Sequence, residues 1–396
     1  MHGNRDVCLV PALTTTAKLR PWSRDLNLKT ILKPLIAFPV CVVFGMMCFA
    51  RTPSEAALQI KAEIQRIQQS LSNKPITNSD IPSIDKMLMD GLQGASEALG
   101  RGYTFLSLET LGQVSDLYYG ARAAADSDTE VGKGGFRAFE RAWSQASAQV
   151  TLIDRAVKDT DWNHLPVAIQ ALAQTAEGRT QPLLEGGRGF AISTAPKDGL
   201  LYLGEAKGQA EFAKFCATLN LSRQRSPLPL RSMLPELLAL QEKTNTAFQP
   251  PRSIDLHPRF IALNSTIKLA NELDASRSYA GSLYQYLEAV RHYGLLSAAP
   301  LDATKQAQLK DAIVALHGKF DASNQDDSIA QLFLQRAESQ VAHSNGSAPS
   351  ADEWRSAWVI VDQVLPAYAA AQKPASPVNR ASAKTIDITL VRWPYT

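Results

Sequence analysis

Apolar residues recur at helical spacing along most of this chain. The first clear series begins after residue 54, with apolar side chains every three or four positions, at Ala57, Ile60, Ile64, Ile67 and Leu71. Such spacing puts side chains on one face of an α-helix. Thr52-Pro53-Ser54-Glu55 has the form of a capping box with proline at the first helical position. Similar series occupy the segments 83–99, 134–158, 257–273, 302–320 and 354–365. The pattern predicts about a dozen helices.

Short connections between these helices favour antiparallel neighbours. The sequence therefore predicts an all-α fold of antiparallel helical hairpins, forming either an irregular α-solenoid or two abutting helical bundles. Pro250-Pro251 interrupts the helical pattern, so we place an N-terminal helical region at 51–250 and a C-terminal helical region at 251–372. Gly204 and Gly208 are four residues apart and would let a neighbouring backbone come close.

Strand patterns are confined to two places. Phe190–Thr194 follows Gly186-Gly187-Arg188-Gly189, which predicts a surface turn and then a short extended piece. At the C-terminus, 385–391 alternates apolar and polar residues after a proline-containing stretch, so 373–396 is predicted to be a linker and a strand-like tail. A single strand needs a partner edge. The tail could pack on the helices, remain disordered or pair with another chain.

An uncharged run of sixteen residues, 35–50, lies between Lys33 and Arg51. A basic stretch followed by such a run is typical of a signal peptide, and Cys48-Phe49-Ala50 offers small residues at the −3 and −1 positions of a cleavage point. The alternative is an uncleaved N-terminal membrane anchor that contacts the membrane through residues 31–50. Against an anchor, Pro39 interrupts a run already shorter than the ~20 apolar residues of a spanning helix. Residues 1–50 thus predict export to the periplasm or the exterior, or anchoring to the membrane.

Charge is concentrated in this leader. The chain has 41 Lys and Arg against 38 Asp and Glu, a net charge of +3. Residues 1–50 hold six basic and two acidic groups, so the remainder, with 35 and 36, is nearly neutral. Because nucleic-acid binding normally needs a basic excess, we expect no nucleic-acid partner.

Cysteine usage leaves one thiol in the body of the chain. Cys216 is that residue, and the other three cysteines lie in the leader. A lone cysteine cannot form an internal disulfide, and no zinc-binding spacing is present in the sequence. Cys216 shares a helical pattern with Phe212, Phe215 and Leu219, which predicts a buried structural thiol.

No catalytic motif is present in the sequence: it has no GxSxG elbow, no phosphate-binding loop and no HExxH pair. Glu288 and His292 lie four residues apart on a predicted helix, which would make them neighbours on one face. One such pair is not a metal site, so we interpret it as solvent-facing. We predict no catalytic residues, no metal and no cofactor. Glu272 is the third group that an enzyme would have to bring to the same cleft.

Tyrosines concentrate on two predicted helices, one beginning near Gly102 and one over 277–294. A tyrosine combines an apolar ring with a hydroxyl that can orient a ligand. The candidate ligand-binding residues are therefore Tyr103, Tyr119, Tyr284 and Tyr286. The alternative is that these rings fill the core or its rim.

Stacked helical hairpins offer long surfaces to partners, and no catalytic signature competes with that use. We therefore predict an exported, non-catalytic binding or scaffold protein of the cell envelope with a protein partner. A helical bundle with a tyrosine-lined pocket for a small ligand is the alternative, followed by an enzyme with an unrecognised site.

Overall fold

A computed structural model describes residues 54–76, 83–247, 256–342 and 348–373. Within these ranges the chain is helical apart from short connections, with no strand and one parallel bridge, between Ser226 and Gln325. The all-α class is confirmed. The predicted leader at 1–50 and nearly all of the predicted tail at 373–396 lie outside the described residues, as does Thr52-Pro53.

The helices of the described ranges are α1 (Glu55–Asn73), α2 (Ile84–Gly100), α3 (Thr104–Lys158), α4 (Val167–Ser193), α5 (Leu200–Ala217), α6 (Leu234–Ala247), α7 (His257–Ala275), α8 (Tyr279–Ser297), α9 (Ala303–Asp321), α10 (Ser328–Val341), α11 (Ala351–Val359) and α12 (Leu365–Ala371). Two 3₁₀ turns, Trp162–His164 and Pro196–Gly199, flank α4. A π-helical turn, Ile360–Val364, joins α11 to α12.

The N-cap of α1 is Ser54. The predicted capping box would have placed the N-cap two residues earlier, at Thr52. The Ser54 hydroxyl accepts a hydrogen bond from the Ala57 backbone N–H at 3.2 Å. The apolar series of this helix then becomes its buried face, with Ala56 in place of Ala57 and with Ile60, Ile64, Ile67 and Leu71 as predicted.

Gly135 divides α3 into two parts. Its φ of 57° and ψ of −147° are not helical and suit glycine, which has no Cβ. The part after Gly135 matches the helix predicted over 134–158. It packs antiparallel to α4, with Trp143 Nε1 donating to the Leu184 carbonyl at 3.0 Å and Arg188 paired with Glu140 at 3.0 Å. We name these two elements the α3–α4 hairpin.

The surface turn and extended piece predicted for 186–194 are wrong, because α4 continues through the glycine run to Ser193. The surroundings of Gly187 explain why a glycine occupies this position of α4. A methyl group at Gly187 would lie 2.9 Å from Tyr202 Cβ and 3.0 Å from the Gly199 carbonyl oxygen. The sequence analysis interprets the glycines of this segment as turn residues, whereas Gly187 allows α4 to contact the beginning of α5.

The predicted close approach at Gly204 and Gly208 is confirmed, and the helix that approaches is α3. A methyl group at Gly204 would lie 2.6 Å from Gly120 Cα, and one at Gly208 would lie 3.0 Å from the Ser115 carbonyl oxygen. Cys216, at the end of the same helix α5, is fully buried as predicted. The two backbones of α3 and α5 are therefore in direct contact.

Two hydrophobic cores lie within the described residues. The larger core takes side chains from α1 to α12, including residues on both sides of position 250. The smaller core lies between the second part of α3, the end of α4 and the beginning of α5, around Phe139, Leu184 and Leu203. A boundary at residue 250 and a solenoid or two-bundle arrangement remain predictions.

The beginning of α4 is capped by residues far along the chain. The Asp326 carboxylate accepts a hydrogen bond from the Val167 N–H at 2.8 Å, and the Ser328 hydroxyl accepts one from the Ala168 N–H at 2.9 Å. Asp326 also donates its backbone N–H to Ser226 at 2.9 Å. The connection before α10 thus joins α4 to the extended segment around Ser226.

Candidate functional site

The four candidate tyrosines contact different parts of the protein. Tyr284 is buried and donates its hydroxyl to the Glu109 carboxylate. Tyr119 accepts a hydrogen bond from Arg66 at 3.4 Å, and Lys207 lies 5.7 Å from the centre of its ring.

The other two tyrosines are partly buried. Burial and the nearby Glu338 carboxylate raise the pKa of Tyr103 to about 12. Burial and the charge of Glu236 raise the pKa of Tyr286. Tyr103 thus has an α10 carboxylate as its neighbour and Tyr286 an α6 carboxylate, so no common pocket is formed by these contacts.

None of the four tyrosines lines either of two cavities in the described part of the chain. One cavity, of about 260 Å³, lies between α9, the connection before α10, and the segment 361–372. The second, of about 10 Å³, lies between the segment 228–233 and the end of α12. A ligand in the larger cavity would contact Tyr368, which the sequence analysis did not single out.

A buried ionic network joins three helices around Arg336 of α10. The Arg336 guanidinium binds the Glu109 carboxylate of α3 and the Glu288 carboxylate of α8. Arg291 also pairs with Glu288, at 2.9 Å. Since two arginines face two carboxylates and Tyr284 donates to Glu109, the charges and hydrogen bonds of this network are balanced.

The predicted solvent-facing pair of Glu288 and His292 is wrong, because Glu288 is buried. Burial alone would raise the pKa of Glu288, but the charges of Arg291 and Arg336 lower it to about 2. Burial and the charge of Arg291 lower the pKa of His292 to about 4, so His292 is neutral at pH 7. Glu272 is elsewhere, on α7, where it pairs with Lys268 at 3.8 Å.

The sequence analysis did not predict this network, although one local feature of the sequence points to it. Glu109 is an acidic residue inside the apolar series Leu106, Leu108 and Leu111, and such a residue needs a partner when the series is buried. The partner could not be found locally, because Arg336 lies 227 residues away. The network connects α3, α8 and α10, and the Arg336 guanidinium is paired with carboxylates of the protein itself. The contacts of Arg336 are therefore structural.

A second group of charges, partly buried, lies at the contact of α3 with α5. Gly120 lets the two helices approach so closely that a methyl group there would lie 2.8 Å from Glu205 Cγ. Burial and the negative charge of Asp116 raise the pKa of Glu205 to about 8. Burial also raises the pKa of Asp116, against the positive charge of Arg179 from α4. The Oδ1 atom of Asp116 is buried without a hydrogen-bond partner among the described residues.

Comparison with protein-family models, with curated proteins and with solved structures gives no match for this chain. Over the described ranges, no cluster of three or more His, Cys, Asp or Glu side chains is arranged to hold a metal ion. No helix among the same residues combines the length and hydropathy needed to cross a membrane.

An exposed apolar surface lies at one end of the α3–α4 hairpin. Phe136 is 40% exposed and Ile192 is 66% exposed. The contacts of Trp143 with Leu184 and of Glu140 with Arg188 set an antiparallel register in which Phe136 lies opposite Ile192. Phe190 stacks on Tyr202 with ring centres 4.8 Å apart. We name Phe136 and Ile192 the hairpin end.

Proposed function

We propose that this chain is a non-catalytic helical protein that is exported to the cell envelope and binds a protein partner. The observation that supports this proposal is the hairpin end. Single exposed apolar residues are common on protein surfaces. An exposed aromatic and an exposed aliphatic side chain at the same end of two antiparallel helices instead favour a contact surface.

The stability of the hairpin does not require this exposure. Its own core is formed by buried residues such as Phe139, Leu184 and Ala191. Arg188 packs over the Trp143 ring at 4.9 Å and pairs with Glu140, which fixes the two helices relative to each other. A partner would therefore meet a preformed apolar surface, and binding to a rigid surface costs little ordering entropy.

The experiment is site-specific photocrosslinking in living cells with the full-length protein. A benzoylphenylalanine is placed at Ile192 in one variant and at Val314 of α9 in the control, because Val314 is 71% exposed but lies outside the hairpin. We expect one discrete protein adduct from position 192, none from position 314, and loss of the adduct when Phe136→Ser is added. Equal adducts from both positions, or survival of the adduct in Phe136→Ser, would contradict the proposal.

The export part of the proposal rests on residues 1–50 and is tested separately. The mass of the protein purified from its host in mild detergent gives the mature N-terminus. A chain beginning at Arg51 is expected after cleavage that follows Ala50. An intact N-terminus in the membrane fraction would support the anchored alternative, and an intact N-terminus in the cytosol would contradict export.

A further inference from the structure

The larger cavity contains a buried carboxylate that the protein does not neutralise. Asp327 is 6% exposed and lines this cavity. Its Oδ1 atom accepts hydrogen bonds from the Tyr368 hydroxyl at 2.8 Å and from Gln372 Nε2 at 3.2 Å. Within the described residues, its Oδ2 atom has no hydrogen-bond partner and no cation forms an ion pair with it. A carboxylate oxygen without a protein partner in a residue that lines a cavity can accept a hydrogen bond from a ligand, so Oδ2 offers a place for a positive group.

Two features fix the position of the Asp327 carboxylate. The Tyr368 and Gln372 side chains fix the carboxylate through Oδ1. Asp327 also stands directly before α10, where the positive end of the helix dipole favours a negative charge. The acceptor is therefore preorganised, which reduces the cost of ligand binding.

A positive side chain lines the same cavity. Lys319 of α9 is exposed, and in the described part of the chain its ammonium has neither an ion-pair partner nor a hydrogen-bond partner. Leu316, Phe320, Val361 and Leu365 form an apolar part of the wall, and Ser323, Gln325 and Gln372 add polar side chains. The cavity thus combines a carboxylate, an ammonium group and an aliphatic surface.

The apolar wall is shaped by the π-helical turn. The Leu365 N–H donates to the Ile360 carbonyl, five residues back instead of four. Pro366, the next residue, has no N–H to donate and also lines the cavity. Single π-turns inside helices are rare and occur frequently at functional sites. This observation is independent of the charges and points to the same place.

We propose that this cavity binds a small zwitterion of the amino-acid class with an aliphatic side chain. The ligand ammonium donates to Asp327 Oδ2, the ligand carboxylate binds the Lys319 ammonium, and the side chain packs against Leu316, Phe320 and Val361. The volume of about 260 Å³ is below the ~300 Å³ at which pockets for drug-sized ligands begin, which suits a ligand of this size. The proposal is independent of the hairpin end.

The test is calorimetric titration of the full-length protein with L-leucine and with two analogues that each lack one charge. Leucinamide lacks the carboxylate and 4-methylpentanoate lacks the ammonium. Because a hydrogen bond to a charged group contributes about 1.5–3 kcal/mol, each analogue is expected to bind roughly 10- to 100-fold more weakly than leucine. Leucinamide binding as tightly as leucine would overturn the zwitterion assignment, and no heat from leucine at about 10 mM would overturn the site.

Variants of the lining residues test whether leucine binds in this cavity. Asp327→Asn and Lys319→Met should each weaken leucine binding by about 10-fold or more, whereas Lys305→Met, an exposed lysine of the same helix outside the cavity, should not change it. Ala369→Phe fills the cavity from an exposed position of its wall, so it should abolish binding with the fold intact. Unchanged leucine binding in a folded Ala369→Phe protein would overturn the proposal even if Asp327→Asn failed to fold.

Discussion

Glu205→Gln should stabilise the protein at alkaline pH and leave its stability at acid pH nearly unchanged. Glu205 lies against Gly120 where α3 and α5 touch, with the Asp116 carboxylate as a neighbour. Burial and that negative charge raise the pKa of Glu205 to about 8. The folded protein therefore holds a proton on Glu205 at pH 7, and glutamine is the permanently neutral equivalent of the protonated side chain.

The sign and size of the effect follow from the two pKa values. A carboxyl whose pKa is raised by folding stabilises the folded state fully below its ordinary pKa of 4.5, and this stabilisation is lost as the pH rises towards about 8. At about 1.4 kcal/mol per pKa unit, complete loss corresponds to roughly 5 kcal/mol. Since water reaches part of this side chain, we expect about 2–3 kcal/mol between pH 5 and pH 9.

The assay is urea unfolding of wild type and Glu205→Gln at pH 5, 7 and 9, compared by the free energy of unfolding. The variant should match wild type at pH 5 within ~0.5 kcal/mol and exceed it by about 2–3 kcal/mol at pH 9. Glu211→Gln is the control, because Glu211 is on the same helix and pairs with Lys214 at 3.9 Å. Because this pair is largely exposed, the difference of Glu211→Gln from wild type should stay below ~1 kcal/mol at all three pH values. If Glu205→Gln also gave a difference independent of pH, Glu205 would not hold a proton at neutral pH and the argument would fail.

Three further predictions concern packing and charge. Arg336→Met should lower the free energy of unfolding by about 3–5 kcal/mol, because it leaves the buried Glu109 carboxylate without a cation and leaves Glu288 with Arg291 alone. Arg141→Met, whose pair with Glu130 is exposed, should change it by less than ~1 kcal/mol in the same urea titration. Gly204→Ala should destabilise by about 1–3 kcal/mol in thermal unfolding, and Gly94→Ala, an exposed helical position with open space, should stabilise by about 0.5–1 kcal/mol. Burial raises the pKa of Cys216, so peptide mapping after iodoacetamide should find it alkylated only in urea.

Helical periodicity predicted the elements of this fold because most helices bury one stripe and expose the other. Ile60, Ile64 and Ile67 of α1 are buried as their spacing indicates. The method failed at the end of α4, where glycine was taken as a turn signal. Gly187 is there because α5 begins directly against it, and that contact with Tyr202 and Gly199 has no trace in local spacing.

The polar interior was less predictable than the helices. Glu288 and His292 were interpreted as exposed, since charged residues are rarely buried without a partner. The partner exists, but Arg336 lies 48 residues beyond Glu288 and pairs with it only after α8 and α10 have packed. The partner of Asp327 could not be predicted from local sequence either, because Tyr368, which donates a hydrogen bond to its carboxylate, is 41 residues away. A buried polar residue can be suspected from sequence, but its partner depends on tertiary contacts.

The remote capping of α4 has a consequence for synthesis on the ribosome. Val167 and Ala168 receive their caps from residues 159 and 160 positions later. At about 5–20 residues per second, Asp326 and Ser328 emerge on the order of 10 s or more after α4. During that time the first turn of α4 has only water for its N–H groups, and its apolar residues lack the α10 side of the core. A chain that stops before residue 326 therefore keeps this end of α4 permanently open, which makes it a target for chaperones and proteases.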